Sequence, residues 1–304
     1  MNALAYIVRR ESSSLFVDAR HLRHHILQWG DPTAVTPEQP TLVLLHGWMD
    51  VAASFQFVVD ALHADRHVLA LDWRGFGLSG WPAVDSYWIP DYLGDLEAVL
   101  DALLPAQQPI DLLGHSMGGN VVMLYAGVRP QRVRRVVNLE GFGMPVTRPD
   151  QAPRRYAQWL DALKEPARLR HYPSVEAVAE RLVQNNPLLS ADKAAWLAPH
   201  WSRLTIDGTW EILGDPAHKR ISPLLYQRDE ALACWKLIAA PVLWIEGDRS
   251  DPAKWWGTRY SKAEFHQRLD VVPTVTRETL APAGHMLHHD QPEALARRLE
   301  AFLS

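Results

Sequence analysis

Cysteine is almost absent: the 304-residue chain has one, Cys234, so no internal disulfide can staple it. Nothing in "LACWK" marks that thiol as activated, and a small apolar core residue is the expectation. No uninterrupted apolar run of about 18 residues is present that would span a bilayer. The opening "MNALAYIVRRESSSLFVDAR" carries its arginines after its apolar stretch, which is not how a secretory signal is built. Cytoplasm is the expected compartment, with no membrane partner. Charge of one sign is also lacking, since acidic and basic residues interleave to a net −4, and nucleic acid is a poor partner for such a surface. The substrate expected is a small molecule.

What is present is apolar: 47% of the residues are hydrophobic, enough for a substantial core. "TLVLL" at 41, "HVLAL" at 67, "IDLLG" at 110, "VRRVVNL" at 133 and "APVLWIE" at 240 read as strands buried on both faces. Helical spacing of Leu93, Leu96, Leu100 and Leu103, and of Leu295, Leu299 and Phe302, places helices between and after them. This alternation predicts an α/β protein with a doubly wound, mostly parallel sheet. Runs near "AYIVRR" and "HHILQWG" are expected to add antiparallel strands at one edge.

The rhythm breaks at "PVTRPDQAPRR". Residues 146–238 read as an inserted helical cap, and 1–145 with 239–304 as the core. Trp159, Trp196, Trp201, Trp210 and Trp235 are expected mostly in the cap's own core, with one or two facing a ligand cavity. Arg154, Arg155, Arg168 and Arg170 read as a solvated face.

The chemistry centres on "LLGHSMGGN" at 112–120, where Ser116 lies between Gly114 and Gly118. In a strand-turn-helix elbow those two positions must lack bulk. The pattern alone occurs by chance in roughly one chain in ten of this length, so it needs partners. A nucleophilic serine requires a base, an acid to orient it and N–H donors aimed at the oxyanion. "LLHGWMD" ends the first buried strand with His46 and Gly47, and makes the Trp48 and Met117 N–H groups the expected oxyanion pair. "APAGHMLHHDQPE" offers His285 as base. For the acid, "WIEGDRSDP" supplies Asp251, ranked first, and Asp248, ranked third, while "NLEGFGMP" supplies Glu140, ranked second.

Two further groupings are set aside. Gly75, Gly77 and Gly80 in "DWRGFGLSGW" match the dinucleotide fingerprint, but Pro82 and Pro90 block the helix that must follow. A tight loop shaped by Asp72 and Arg74 is expected instead. His288, His289 and Asp290, like "HLRHH" at 21–25, lack ligand spacing, so neither metal nor cofactor is expected, and the latter reads as a polar edge strand.

"HGW" at 46, "DWRGFGLSG" at 72, "GHSMGG" at 114, "EGDRSDP" at 246 and "GHMLHHDQPE" at 284 occur together in one order. By them the chain resembles the α/β-hydrolase superfamily, in particular its cap-bearing serine esterase branch. The resemblance covers nearly all of the chain outside the cap. It implies an eight-stranded, mostly parallel sheet flanked by helices, a helical cap after the sixth strand, and hydrolysis of a carboxylic ester, or of a thioester, lactone or amide; the cap aromatics add the expectation of an apolar acyl or alcohol portion. Ser116 would be nucleophile, His285 base and Asp251 acid. Ser250 stands where the family's aspartate usually lies, three residues past the glycine, and Glu140 falls where haloalkane dehalogenases carry their acid. Cleavage of a carbon-carbon bond on the same triad, or a non-catalytic ligand receptor, are the other readings.

Overall fold

The computed structural model describes residues 5–304. From the amino end run β1 (Ser13–Ala19), β2 (Leu22–Trp29), β3 (Leu42–Leu45), α1 (Gln56–Ala61), β4 (Val68–Leu71), α2 (Ile89–Leu103), β5 (Ile110–His115), α3 (Met117–Val128) and β6 (Val133–Leu139). After β6 come α4 (Ala152–Leu163), β7 (His171–Tyr172), α5 (Val175–Asn185), α6 (Ala191–Trp201), β8 (Ser202–Leu204), β9 (Trp210–Ile212) and α7 (Arg228–Trp235). The chain closes with β10 (Val242–Gly247), α8 (Ala253–Trp256), α9 (Lys262–Leu269), β11 (Val275–Leu280), α10 (Leu287–Asp290) and α11 (Pro292–Leu303).

Eight strands form one sheet in the order β1-β2-β4-β3-β5-β6-β10-β11. The six from β4 to β11 pair in parallel, and β2 pairs antiparallel with both β1 and β4. The expected sheet is therefore present, with one difference at its edge. "AYIVRR" forms no strand; the edge strand is "SSLFVDA", whose alternating exposure suits a half-covered position. His24 and His25 are correspondingly not on an edge but buried in β2.

The central strands alternate between two cores, as a sheet covered on both faces must. Val43, Leu45, Ile110 and Leu112 face α2, α3 and α9, whereas Leu42, Leu44 and Leu113 face α1 and α11. Burying one such leucine contributes about 1.5–3 kcal/mol.

Between β6 and β10 the chain is mainly helical, but β7, β9 and β8 add a small antiparallel sheet. These strands are two or three residues long, too short to leave a buried run in the sequence. A third core joins Tyr172, Val178, Leu182 and Leu197 to Val51 and Phe57 of the main body, with Trp196, Trp201 and Trp210 packed against it. Trp235 departs from expectation, because α7 packs it into the main core with Phe265 and Trp244. Trp159 donates to Ser86 Oγ. Of the four arginines, Arg154, Arg168 and Arg170 are exposed and Arg155 is half-buried. Cys234 is half-buried, and burial pushes its thiol up, the opposite of activation. Among the described residues no helix is long and apolar enough to cross a membrane.

Candidate active site

Strand order reverses around β3, which has β4 on one side and β5 on the other, and the crevice at such a switch point is where open α/β sheets bind ligands. The segments following β3, β5, β6 and β11 meet there.

Ser116 forms the turn between β5 and α3 at φ 52°, ψ −112°, a conformation few non-glycine residues hold without support. Support comes from Ser116 N–H donating to Leu139 O at 2.8 Å, and from the absence of side chains around it. A Cβ on Gly114 would stand 2.3 Å from Gly118 O, and one on Gly118 would stand 2.1 Å from Leu45 O. The turn thus demands glycine at both positions.

His285 Nε2 lies 3.0 Å from Ser116 Oγ, and His285 Nδ1 lies 2.6 Å from Glu140 Oε2. Because the carboxylate can only accept, Nδ1 carries the proton and Nε2 presents its lone pair to the hydroxyl. Glu140 is fully sealed while the His285 side chain keeps 26% of its exposure, so the row runs from a dry end to a wet one. Glu140 itself sits at φ 55°, just past β6. Its Oε1 accepts Gly247 N–H and its Oε2 also accepts the Ser250 hydroxyl, each at 2.6 Å. Three donors compensate a carboxylate that burial alone would penalise heavily.

The ranking of acids is corrected here. Asp251 is exposed, and its Oδ1 accepts Ala253 N–H at 2.9 Å, opening the turn into α8 rather than reaching the imidazole. Asp248 accepts Ala283 N–H at 2.7 Å and so braces the loop that carries His285. Asp290 holds that loop from the other side through Gly284 N–H.

Gly47 approaches closely enough that a Cβ there would stand 3.2 Å from Ser116 Cβ, which brings Trp48 to the elbow. Neither Trp48 N–H nor Met117 N–H, the latter in the first turn of α3, donates to any group among the described residues. His46 is not a reacting group: its Nδ1–H donates to Gly47 O and its Nε2 accepts Trp73 N–H, fixing the turn, and burial lowers its pKa. The Gly75–Gly80 segment is a turn, with no helix before Ile89. Gly77, at φ 55°, leaves room for the Asp72 carboxylate and donates its N–H to Leu213 O of the inserted segment. Arg74 is paired with Asp95.

Two neighbours escaped sequence reasoning. His115 donates Nε2–H to the His285 carbonyl at 2.8 Å, and Trp255 sets its ring edge-to-face on His285, centroids 4.5 Å apart. No spacing in the chain announces either. Of the five tryptophans, Trp196 lines a cavity of about 570 Å³ between β2, the turn after β4 and α6, which includes neither Ser116 nor His285.

The family model of the alpha/beta hydrolase fold matches residues 40–292. A probable serine hydrolase of Drosophila melanogaster is 31% identical over 90% of this chain and 82% of its own length. Esterase YbfF of Escherichia coli is 24% identical over 86% of this chain and 92% of its own length. Among solved structures, the thioesterase domain from the curacin biosynthetic pathway superposes with TM-score 0.82 at 25% identity, covering 96% of this chain and 99% of that one. A sheet with this strand order, a serine at the elbow after β5 and these likenesses lead to one conclusion: the chain belongs to the α/β-hydrolase family and is a serine hydrolase.

Proposed function

We propose that this hydrolase cleaves a carboxylic ester of a small molecule through an acyl-enzyme, with Ser116 as nucleophile, His285 as base and Glu140 as the orienting acid. The observation that carries the reading is the continuous row from Ser116 Oγ through both nitrogens of His285 to Glu140 Oε2.

In this mechanism His285 Nε2 takes the hydroxyl proton as Ser116 Oγ attacks the acyl carbon. Charge develops on the former carbonyl oxygen, and the free N–H groups of Trp48 and Met117 receive it, each worth roughly 3 kcal/mol in comparable sites. The tetrahedral intermediate collapses when imidazolium returns the proton to the departing alcohol. Water, deprotonated by the same nitrogen, then releases the acid and restores Ser116. Glu140 accepts the Nδ1–H bond throughout and stabilises the imidazolium.

Trp48 and Trp255 are both about half exposed beside the row, and they favour a substrate with an apolar portion. The likeness to a thioesterase domain supports a thioester as second substrate class, since the same row serves either leaving group.

Turnover of a short p-nitrophenyl ester and labelling by a fluorophosphonate probe test the reading together. Ser116→Ala is expected to abolish both. Near wild-type turnover in that variant rejects the mechanism, and an unlabelled wild-type protein rejects the nucleophile. Matched oxygen and sulfur esters then rank the two leaving groups.

A further inference from the structure

Beneath the row lies a second set of polar side chains that acyl transfer does not use. Asp50 follows β3, His115 ends β5 and His288 lies in α10, and all three are buried, at 4%, 2% and 0% exposure. Asp50 Oδ1 is fully engaged by Val51 N–H, the Ser54 hydroxyl and Trp201 Nε1–H. Its Oδ2 has no hydrogen-bond partner among the described residues, and neither do His115 Nδ1 nor the two ring nitrogens of His288.

The three side chains that carry these atoms converge. One donor atom from each residue lies within 4.8 Å of the other two, and His288 Nε2 stands 3.8 Å from Asp50 Oδ2. A buried polar atom left unpaired costs about 1–3 kcal/mol, so three meeting at one point call for a shared partner. Two imidazole nitrogens and one carboxylate oxygen form the donor set of a zinc-like ion with a fourth position for water. His115 is already oriented by a hydrogen bond: its Nε2–H is committed to the His285 carbonyl, which leaves Nδ1, buried and without a hydrogen-bond partner among the described residues, as the nitrogen with a lone pair. Metal-ligating histidines are commonly held by such a bond from the second nitrogen.

We propose that Asp50, His115 and His288 bind one divalent transition-metal ion, Zn²⁺ by chemical class, which ties together the loop after β3, the Ser116 elbow and the His285 loop. Tetrahedral zinc needs donor atoms roughly 3.5 Å apart, so binding draws the three side chains inward by about 1 Å. The ion touches neither substrate nor Ser116; it fixes the segments that carry them. Three separate stretches of chain supply the ligands, which is why ligand spacing along the sequence does not reveal them.

Co²⁺ is the probe of choice, because its visible ligand-field bands report coordination number. The full-length protein is stripped with chelator and exposed to Co²⁺ both when folded and during refolding from denaturant, since the site is closed to solvent. The expected result is one Co²⁺ per chain with four-coordinate bands, displacement by Zn²⁺, and a raised melting temperature. His288→Gln and Asp50→Asn, each checked for folding by circular dichroism, are expected to weaken binding beyond the roughly 10–100-fold that loss of an outer-shell partner costs. His63→Gln, at an exposed histidine, leaves binding unchanged. Failure of the wild-type protein to retain an ion by either route overturns the proposal, as does retention undiminished in both ligand variants.

Discussion

The Ser250 hydroxyl donates to Glu140 Oε2, the same oxygen that accepts the hydrogen bond from His285 Nδ1–H. The loop after β10 thus does contribute to the row, but as a hydrogen-bond donor to a carboxylate that arrives from β6. Glu140→Gln is expected to lower kcat by about 10⁴, as when a triad acid is neutralised. Asp251→Asn, at an exposed position, should stay within about twofold of wild type. Steady-state kinetics on one ester decide, and the reverse order of damage removes Glu140 from its assigned role.

Ser250→Ala deletes a hydrogen bond to a buried charge, a loss of roughly 1.5–3 kcal/mol, and is expected to reduce kcat by about tenfold or more. Moving the carboxylate is the sharper test. In a Glu140→Gln background, Ser250→Asp places an acid beside the imidazole again and is expected to recover at least about tenfold of the lost rate. No recovery, with the double variant folded, means that position 250 cannot address Nδ1.

The elbow makes a stability prediction. A methyl group on residue 118 would meet Leu45 O at 2.1 Å, and backbone on both sides prevents easy relief. Gly118→Ala should therefore destabilise by about 3 kcal/mol or more, seen as a drop of several degrees in the thermal midpoint. An unchanged midpoint would show that the turn is looser than its geometry.

Acid should weaken the fold through His218, whose ring lies between Phe76 and Tyr87 with centroids 3.8 and 3.5 Å away. Burial is the main cause that lowers its pKa from 6.5 to about 3. The folded state therefore binds a proton more weakly than the unfolded chain, so stability is complete above pH 6.5 and falls as pH drops towards about 3. The loss from this one group is about 1.4 kcal/mol per pH unit in that window. Burial lowers the pKa of His24 and His67 in the same direction. Thermal midpoints should fall as pH falls across the window, and His218→Phe should flatten that dependence; an equal slope of midpoint against pH in both proteins excludes His218 as a source.

The fold was legible because its strands are apolar on both faces and its helices keep strict spacing. The meeting of Ser116 and His285 was legible because each lies in a short segment whose glycines shape the backbone. Which carboxylate meets the imidazole was not, since the segments that follow β6 and β10 both carry acidic residues at usable distance. Backbone conformation at Glu140, which has a positive φ, and the side chain of Asp251, turned outward to the Ala253 N–H, decide between them. The strands between residues 171 and 212 were hidden by their brevity, and the burial of His24 and His25 by β1, which covers their strand from the side.

In the proposed mechanism the orienting carboxylate follows β6, so residues 251–259 supply no member of the Ser116–His285–Glu140 row, although Trp255 overhangs the imidazole. That stretch is a place where shape selectivity can be rewritten by mutagenesis, leaving proton chemistry intact. Libraries aimed at new acyl groups have their natural starting point there.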